Sequence, residues 1–347
     1  MTGTRRRLVA AILLTGVATV VGVFGPATLA QQQTRTSIFD PQQGIYYADA
    51  TDKSIRALPV RPNIYMIVGA GGNITVQVGD DGVLVVDSGS GAAATEKVQG
   101  LIRQLTTKPI RYILNTSYLV DHTGGNEGLR GAVPAGGRGG GGGGGGGGGR
   151  GTPIAAHEGV LGRMSAPSGK TAPTSTNAWP TETYYTPYHD IYFNGEGVQM
   201  LHPPSAITDG DSMVYFRRSD VISTGDIFQT TTYPMIDVKA GGTIDGVVNA
   251  LNQVLEVTIP KEKQEGGTMV IPGHGRISDE ADVVEYRDML TIVRDRIKDA
   301  IRKGKTLQEV QSAGLTKEYD PRYGTNTGPW TTAMFIEAAY QTLSARK

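Results

Sequence analysis

Between residues 63 and 86 the chain sets short apolar runs between glycine-bearing turns. The runs Ile64-Tyr65-Met66-Ile67-Val68, Ile74-Thr75-Val76-Gln77-Val78 and Val83-Leu84-Val85-Val86 are rich in β-branched residues, which suit a pleated surface. Asp80-Asp81-Gly82 supplies a turn, so three strands in hairpin order are predicted. Residues 92–105 change period, with Val98, Leu101, Ile102 and Leu105 on one helical face. Residues 111–114 then read as a strand reached through that helix as a crossover. Residues 152–155 read as a strand, 157–164 as a short helix, and 165–187, rich in Pro, Thr and Ser, as a loop. A second strand set follows at 190–193, 198–202, 212–216 and 221–223, with a last strand at 268–271. Helical spacing marks 243–257, 307–312, 330–343 and a long segment, 278–302, with Ser278 as N-cap and Asp279, Glu280 and Asp282 in its first turn. Two runs of strands, each followed by helices, predict two sheets face to face with helices outside.

The flanking and linking segments differ in texture. Arg5-Arg6-Arg7, an apolar stretch over residues 8–24 and Thr28-Leu29-Ala30 form the three-part pattern of a secretory signal peptide over residues 1–30. The apolar stretch lies at the short limit for a membrane span, so no stable membrane anchor is expected after cleavage. Thr4-Arg5-Arg6-Arg7-Leu8 also resembles a twin-arginine signal, and the expected destination is periplasmic or secreted. Residues 31–58 read as a polar, irregular N-terminal arm. Residues 59–276 read as the main domain and 277–347 as C-terminal helices. Within the main domain, residues 131–151 hold fifteen glycines, eleven of them unbroken from Gly139 to Gly149. Such a run cannot bury enough surface to offset its ordering entropy and is expected to be a loop. Arg138 and Arg150 at its borders could touch an anion.

Charge and cysteine content narrow the chemistry. The chain carries 33 Lys+Arg and 33 Asp+Glu, and without residues 1–30 it keeps 30 basic against 33 acidic groups. That balance excludes a nucleic-acid binder working through a basic surface. With no cysteine, disulfides, thiolate metal sites and cysteine nucleophiles are all excluded.

The chemistry-bearing residues fall at the ends of predicted strands. Asp87 follows the third strand in Val86-Asp87-Ser88-Gly89. The fourth is followed by Asn115-Thr116-Ser117-Tyr118-Leu119-Val120-Asp121-His122-Thr123-Gly124-Gly125-Asn126. Ile207-Thr208-Asp209-Gly210-Asp211, Thr224-Gly225-Asp226-Ile227-Phe228 and Pro272-Gly273-His274-Gly275 border strands of the second set. A rigid scaffold can aim polar side chains from such ends at one point, and carboxylates with imidazoles bind divalent Zn or Fe without cysteine. The bland reading is open too: Asp121 could cap the helix that follows, with His122 bonded to it. Asp87 is expected to orient the loop that bears Asp121. His202 could turn inward or sit on the surface, and His157 reads as a packing residue at a helix start. His189, among Tyr184, Tyr185, Tyr188 and Tyr192, belongs either to a substrate-facing loop or to a solvated aromatic cluster.

These motifs, in this order from about residue 63 to residue 274, resemble the metallo-β-lactamase superfamily. The resemblance implies an α+β fold, a four-layer αββα sandwich with a metal site at one edge between the sheets. Here a C-terminal helical extension is added. The family signature, His-x-His-x-Asp-His with a further His before the second-half Asp and a final Gly-His, is half intact. Ser117, Leu119 and Ile207 stand where three histidines belong, while Asp121, His122, Asp226 and His274 are in place. The resemblance therefore implies one metal, a Zn or Fe ion, on Asp121, His122, Asp226 and His274. Asp121 or Asp226 would orient or deprotonate water, and Ser117 or Tyr118 would help polarise the substrate. The expected activity is hydrolysis of a small-molecule ester, lactone, amide or phosphoester. The alternative is a metal-free, non-catalytic small-molecule binder on the same fold, its mouth shaped by residues 165–187 and 229–242. True β-lactam hydrolysis is the least favoured reading, because three histidines of the signature are missing.

Overall fold

The period-two pattern of the first strand set separates two different cores. The computed structural model describes residues 39–40, 45–46, 54–131, 151–165 and 172–345. The leader, most of the N-terminal arm, the glycine run and Arg138 and Arg150 lie outside the described residues. Ahead of the main sheets, β1 (Phe39–Asp40) and β2 (Ile45–Tyr46) pair antiparallel. A seven-stranded sheet then runs in sequence order through β3 (Arg56–Arg61), β4 (Ile64–Val68), β5 (Ile74–Gly79), β6 (Gly82–Val86), β7 (Ile110–Leu114), β8 (Ile154–His157) and β9 (Glu182–Tyr184). It is antiparallel from β3 to β6 and parallel from β6 to β9. A five-stranded sheet follows, of β10 (Tyr188–Phe193), β11 (Glu196–Leu201), β12 (Met213–Phe216), β13 (Val221–Ser223) and β14 (Met269–Ile271). Only its last pair, β13 with β14, is parallel.

Alternation along each strand sorts the apolar side chains into layers. Met66, Val68, Leu84, Val86 and Leu114 of the first sheet pack with Val198, Met200, Val214, Phe216, Val221 and Ile271 of the second. The intervening residues Ile67, Val83, Val85 and Ile113 face the other way, onto Val98 and Ile102 of α1 (Ala92–Leu105). On the far face of the second sheet, Met213, Ile222 and Val270 meet α5 (Ile244–Val257) and α6 (Glu280–Arg302). The C-terminal helices α7 (Leu307–Ser312), α8 (Asp320–Tyr323) and α9 (Thr332–Ser344) join that outer core through Val310, Tyr323, Phe335 and Ala339. The result is the helix–sheet–sheet–helix sandwich, each fully buried Leu, Ile or Val contributing ~1.5–3 kcal/mol.

Four local expectations shift, each for a tertiary reason. β3 begins at Arg56, inside the stretch read as irregular arm, because Leu58 and Val60 pack against the inter-sheet core. β9 lies inside the stretch read as loop: it has three residues and one buried side chain, Tyr184, too few for a periodic signal. His157 ends β8 rather than opening the helix, which is α4 (Glu158–Ser165). The N-cap of α6 is Asp279, not Ser278: Asp279 and Asp282 cap each other reciprocally, while buried Ser278 exchanges two 2.8 Å backbone bonds with Val270. No described helix is long and apolar enough to cross a membrane.

Candidate metal centre

The parallel strand pairs bring three loop starts to one edge of the sandwich. Asp121 and His122 lie on α2 (Val120–Thr123), the single turn that follows β7 and precedes α3 (Asn126–Arg130). Asp226 lies on a short 3₁₀ turn, Gly225–Ile227, directly after β13. His274 follows neighbouring β14, and the backbone crosses between the two loops: Gly273 N–H donates to Gly225 O (2.8 Å) and to Phe228 O (3.1 Å). Gly273 has to be glycine, since a Cβ there would run into the Asp226 carboxylate. Gly225 has φ 53°, and a Cβ there would lie 2.6 Å from Thr116 Oγ1.

The two sheets are tied together at this edge. Asn73 N–H donates to Gly273 O (2.7 Å), and its Nδ2 donates to Pro272 O (2.9 Å) and Gly275 O (3.1 Å). The first sheet thus holds the His274 loop of the second. Asp87, at φ 63°, turns its carboxylate to the other side of the site. It accepts from Thr116 N–H (2.8 Å), from Thr116 Oγ1–H (2.6 Å) and from His122 Nδ1–H (2.7 Å). It does more than orient a loop, because it sets the tautomer of His122. Asn73, Thr116 and Gly273 carry no chemistry of their own and were not foreseen. Thr116 and Gly273 stand inside the motif segments, whereas Asn73 only precedes the second strand run.

Four ligand atoms, one each from Asp121, His122, Asp226 and His274, all lie within 4.8 Å of one another. His122 Nε2 is 3.2 Å from Asp226 Oδ1 and 4.0 Å from Asp121 Oδ2. His274 Nε2 is 3.0 Å from Asp121 Oδ2 and 3.4 Å from Asp226 Oδ1. His122 is fully buried and Asp226 nearly so, yet neither His122 Nε2 nor Asp226 Oδ1 has a hydrogen-bond partner among the described residues. With its Nδ1 proton on Asp87, a neutral His122 points an Nε2 lone pair at a carboxylate oxygen. In that neutral form two electron-rich atoms face each other in a dry site, which calls for positive charge between them, either a proton on Nε2 that pairs His122 with Asp226 or a metal ion in its place, since an unsatisfied buried group costs ~1–3 kcal/mol. The donor set, two imidazoles and two carboxylates, is one that Zn or Fe accepts.

The electrostatics point the same way. Burial opposes charge on Asp121, but the His274 hydrogen bond and the His122 charge outweigh it and lower its carboxyl to about 2. Asp226 is likewise lowered, His122 and His274 overcoming its burial. Against burial, Asp226 and Asp87 raise His122 well above the ordinary imidazole value, and Asp121 and Asp226 raise His274. Every shift favours the charged form, ionised carboxylates and protonated imidazoles, so a metal ion bound here would take the place of the imidazole protons.

Of the three positions where histidines are absent, Leu119 and Ile207 carry no ligand atom and the Ser117 hydroxyl is engaged locally. Ile207 is fully buried in the outer core with Ala206, Met213 and Ile236. Ser117 is buried and its Oγ accepts from Leu119 N–H (3.3 Å). Tyr118 donates its hydroxyl proton to Asp237 Oδ2 (2.6 Å), and burial followed by that bond raises its pKa. The other three histidines are elsewhere. His157 stacks on His202 at 3.7 Å, His202 Nδ1–H donates to Asp211 O (2.8 Å), and His189 stacks on Tyr184 at 5.4 Å. His202 therefore does not replace a lost ligand, and His157 packs, as expected.

Fold and site together define a class, and the comparisons with known proteins agree. The metallo-β-lactamase superfamily model matches residues 67–274, more than half of the chain, which thus belongs to that family. Among solved structures, the stereoselective inverting sec-alkylsulfatase Pisa1 from Pseudomonas sp. is similar at 17% identity and TM-score 0.60, over 83% of this chain and 50% of that one. The metallo-beta-lactamase from Pontibacter korlensis is similar at 15% identity and TM-score 0.51, over 69% of this chain and 99% of that one. The chain thus spans about half the length of the sulfatase it matches. A search by sequence among curated proteins finds no match.

Proposed function

We propose that this protein is a single-metal hydrolase acting on a small-molecule ester, lactone, amide or phosphoester. The observation that carries the reading is the pair of buried, unpartnered atoms His122 Nε2 and Asp226 Oδ1, 3.2 Å apart within the four-residue cluster. Asp121, His122, Asp226 and His274 would hold one Zn or Fe ion. Such an ion supplies Lewis acidity, activating water near neutral pH and polarising the scissile group. Asp87 fixes the His122 ring so that Nε2 faces inward. Asp121 is the more accessible carboxylate, with its side chain 29% exposed against 2% for Asp226, and is the better placed to accept a proton from water. Tyr118 is engaged by Asp237, so polarising a substrate through that hydroxyl would first require breaking a 2.6 Å bond.

The leader pattern of residues 1–30 supports a place of action outside the cytoplasm, periplasmic or secreted. The likeness to a sec-alkylsulfatase adds sulfate esters to the panel worth assaying. Elemental analysis of the purified, metal-supplemented chain tests the reading. About one Zn or Fe per chain is expected, falling below about a tenth in Asp226→Asn, with loss of hydrolysis across an ester, lactone, amide, phosphoester and sulfate-ester panel. A wild-type chain without stoichiometric metal would overturn it and leave the metal-free binder.

A further inference from the structure

The four ligand side chains divide into a dry pair and an open pair. His122 and Asp226 are 0% and 2% exposed, whereas Asp121 and His274 are 29% and 30% exposed. The His122 ring has a brace outside the cluster, since its Nδ1–H donates to Asp87. Among the described residues the His274 ring has no brace of that kind: it bonds to Asp121 (3.0 Å), itself one of the four. Its position therefore depends on the backbone that carries it.

That backbone is held mostly from the opposite sheet. All four carbonyls of residues 272–275 accept a hydrogen bond. His274 O takes the Thr230 N–H (3.2 Å), and a single residue, Asn73, serves the other three. Its N–H donates to Gly273 O (2.7 Å), and its Nδ2 donates to Pro272 O (2.9 Å) and Gly275 O (3.1 Å), one on either side of His274. Both side-chain partners are carbonyl oxygens, which fixes the orientation of the amide. Asn73 is buried, so losing the amide would leave two carbonyls short of a donor.

Asn73 closes the turn between β4 and β5, and the residue before it reaches the other open ligand. Gly72 N–H donates to Asp121 O (3.1 Å). Gly72 also rests against the centre: a Cβ there would lie 3.1 Å from His122 Cε1 and 3.3 Å from His122 Nε2, so a residue without one lets the turn sit this close. Two successive residues of the first sheet thus bond to the segments that carry Asp121 and His274.

We infer that Asn73 is a positioning residue for the metal centre: by holding residues 272–275 against the first sheet, it keeps the His274 imidazole within reach of an ion shared with Asp121, His122 and Asp226. The inference rests on the single-metal reading and deepens it, by naming what holds the ligand that lacks a side-chain brace. Because Asn73 and His274 belong to different sheets, completeness of the ligand set depends on how the sheets are held together at this edge.

Two measurements test this without turnover: Zn affinity, by competition with a chromophoric chelator, and the visible absorption of the Co(II)-substituted chain. Asn73→Ala keeps the backbone bond to Gly273 and loses both side-chain bonds. It is expected to weaken Zn about 10–100-fold, the usual effect of removing a group that orients a ligand, and to shift the Co(II) bands toward those of His274→Ala. In the double variant Asn73→Ala/His274→Ala, the first change should cost less than about threefold beyond His274→Ala alone, because a residue that acts through His274 has nothing left to act on. Ile297→Ala opens a cavity in the outer core and lowers the urea midpoint. It should leave Zn affinity and the Co(II) bands unchanged, which separates positioning from loss of stability. If Asn73→Ala does not fold, Asn73→Ser, which keeps one donor, carries the same comparisons, alone and with His274→Ala, with about a tenfold loss expected. Wild-type affinity and bands in the Asn73 variants, or a fully additive loss in the double variant, overturn the proposal and leave the single-metal reading standing. A wild type that takes up neither Zn nor Co overturns that reading, and this inference with it.

Discussion

Two stretches of the same sheet edge treat their polar atoms in opposite ways. Around Asp121, His122, Asp226 and His274, buried ligand atoms face one another and two of them have no hydrogen-bond partner among the described residues. At Ser117, Leu119 and Ile207 no side chain has a ligand atom to spare: Ser117 is held by a local bond, Ile207 is packed in the core and Leu119 lines an apolar cavity. The first arrangement is unstable without a cation or bound protons. The second is stable by itself and would gain nothing from an ion. A family that often uses both stretches has here kept one as an electrostatic device and rebuilt the other as packing surface. The absence of histidine at these three positions leaves the other four side chains converged within 4.8 Å.

The contrast can be broken at its strongest point by His122→Ala. In metal-free protein this leaves the Asp87 and Asp226 carboxylates, both nearly fully buried, without their shared partner. The expected loss is ~3–5 kcal/mol in urea unfolding, together with loss of metal, as for any buried charge stripped of its counterion. Ile207→His probes the other side. If the position is core, an imidazole there should cost ~2–4 kcal/mol through cavity and desolvation effects without raising metal content. A neutral effect with a gain of bound metal would show that the second site is only dormant.

The smallest effect concerns the histidines that stay away from the centre. Burial, with the neighbouring His202 adding to it, lowers the His157 pKa from 6.5 to about 4, although Asp209 pulls the other way. Between those values the unfolded chain binds a proton that the folded one does not, so stability is complete above pH 6.5 and falls as pH drops toward 4. His157→Phe should retain the ring stack and flatten that part of the profile, measured as the urea midpoint from pH 4 to 7.

Much of this was legible in the chain. Helix α1 spans Ala92–Leu105, the range its periodicity marks, because its buried Val98 and Ile102 and flanking Leu101 and Leu105 recur at helical spacing. The strands β4, β5 and β6 were legible because both their faces are buried under apolar layers. Asp121, His122, Asp226 and His274 were marked by their place at strand ends and by the family signature. β9 was not legible, with three residues and one inward side chain, and nor was the true cap of α6, where two neighbouring residues could each have served. The Asp87 carboxylate was expected to brace a loop, whereas it bonds directly to His122 as well, a contact across 35 positions that no local pattern carries.

The sequence by itself determined the order of elements, the two-sheet architecture and the residue types able to hold a cation, since these follow from periodicity and from which side chains carry lone pairs. Only the tertiary structure decided that His122 Nε2 and Asp226 Oδ1 would meet without a hydrogen bond, that Ile207 would belong to the core, and that Leu119 would share a cavity wall with Met334 and Ala338 of the C-terminal helix. The reason is one of range. Propensity and hydrophobic period act over a few residues, whereas burial and partner count depend on what packs from the opposite sheet or from helices more than a hundred positions away.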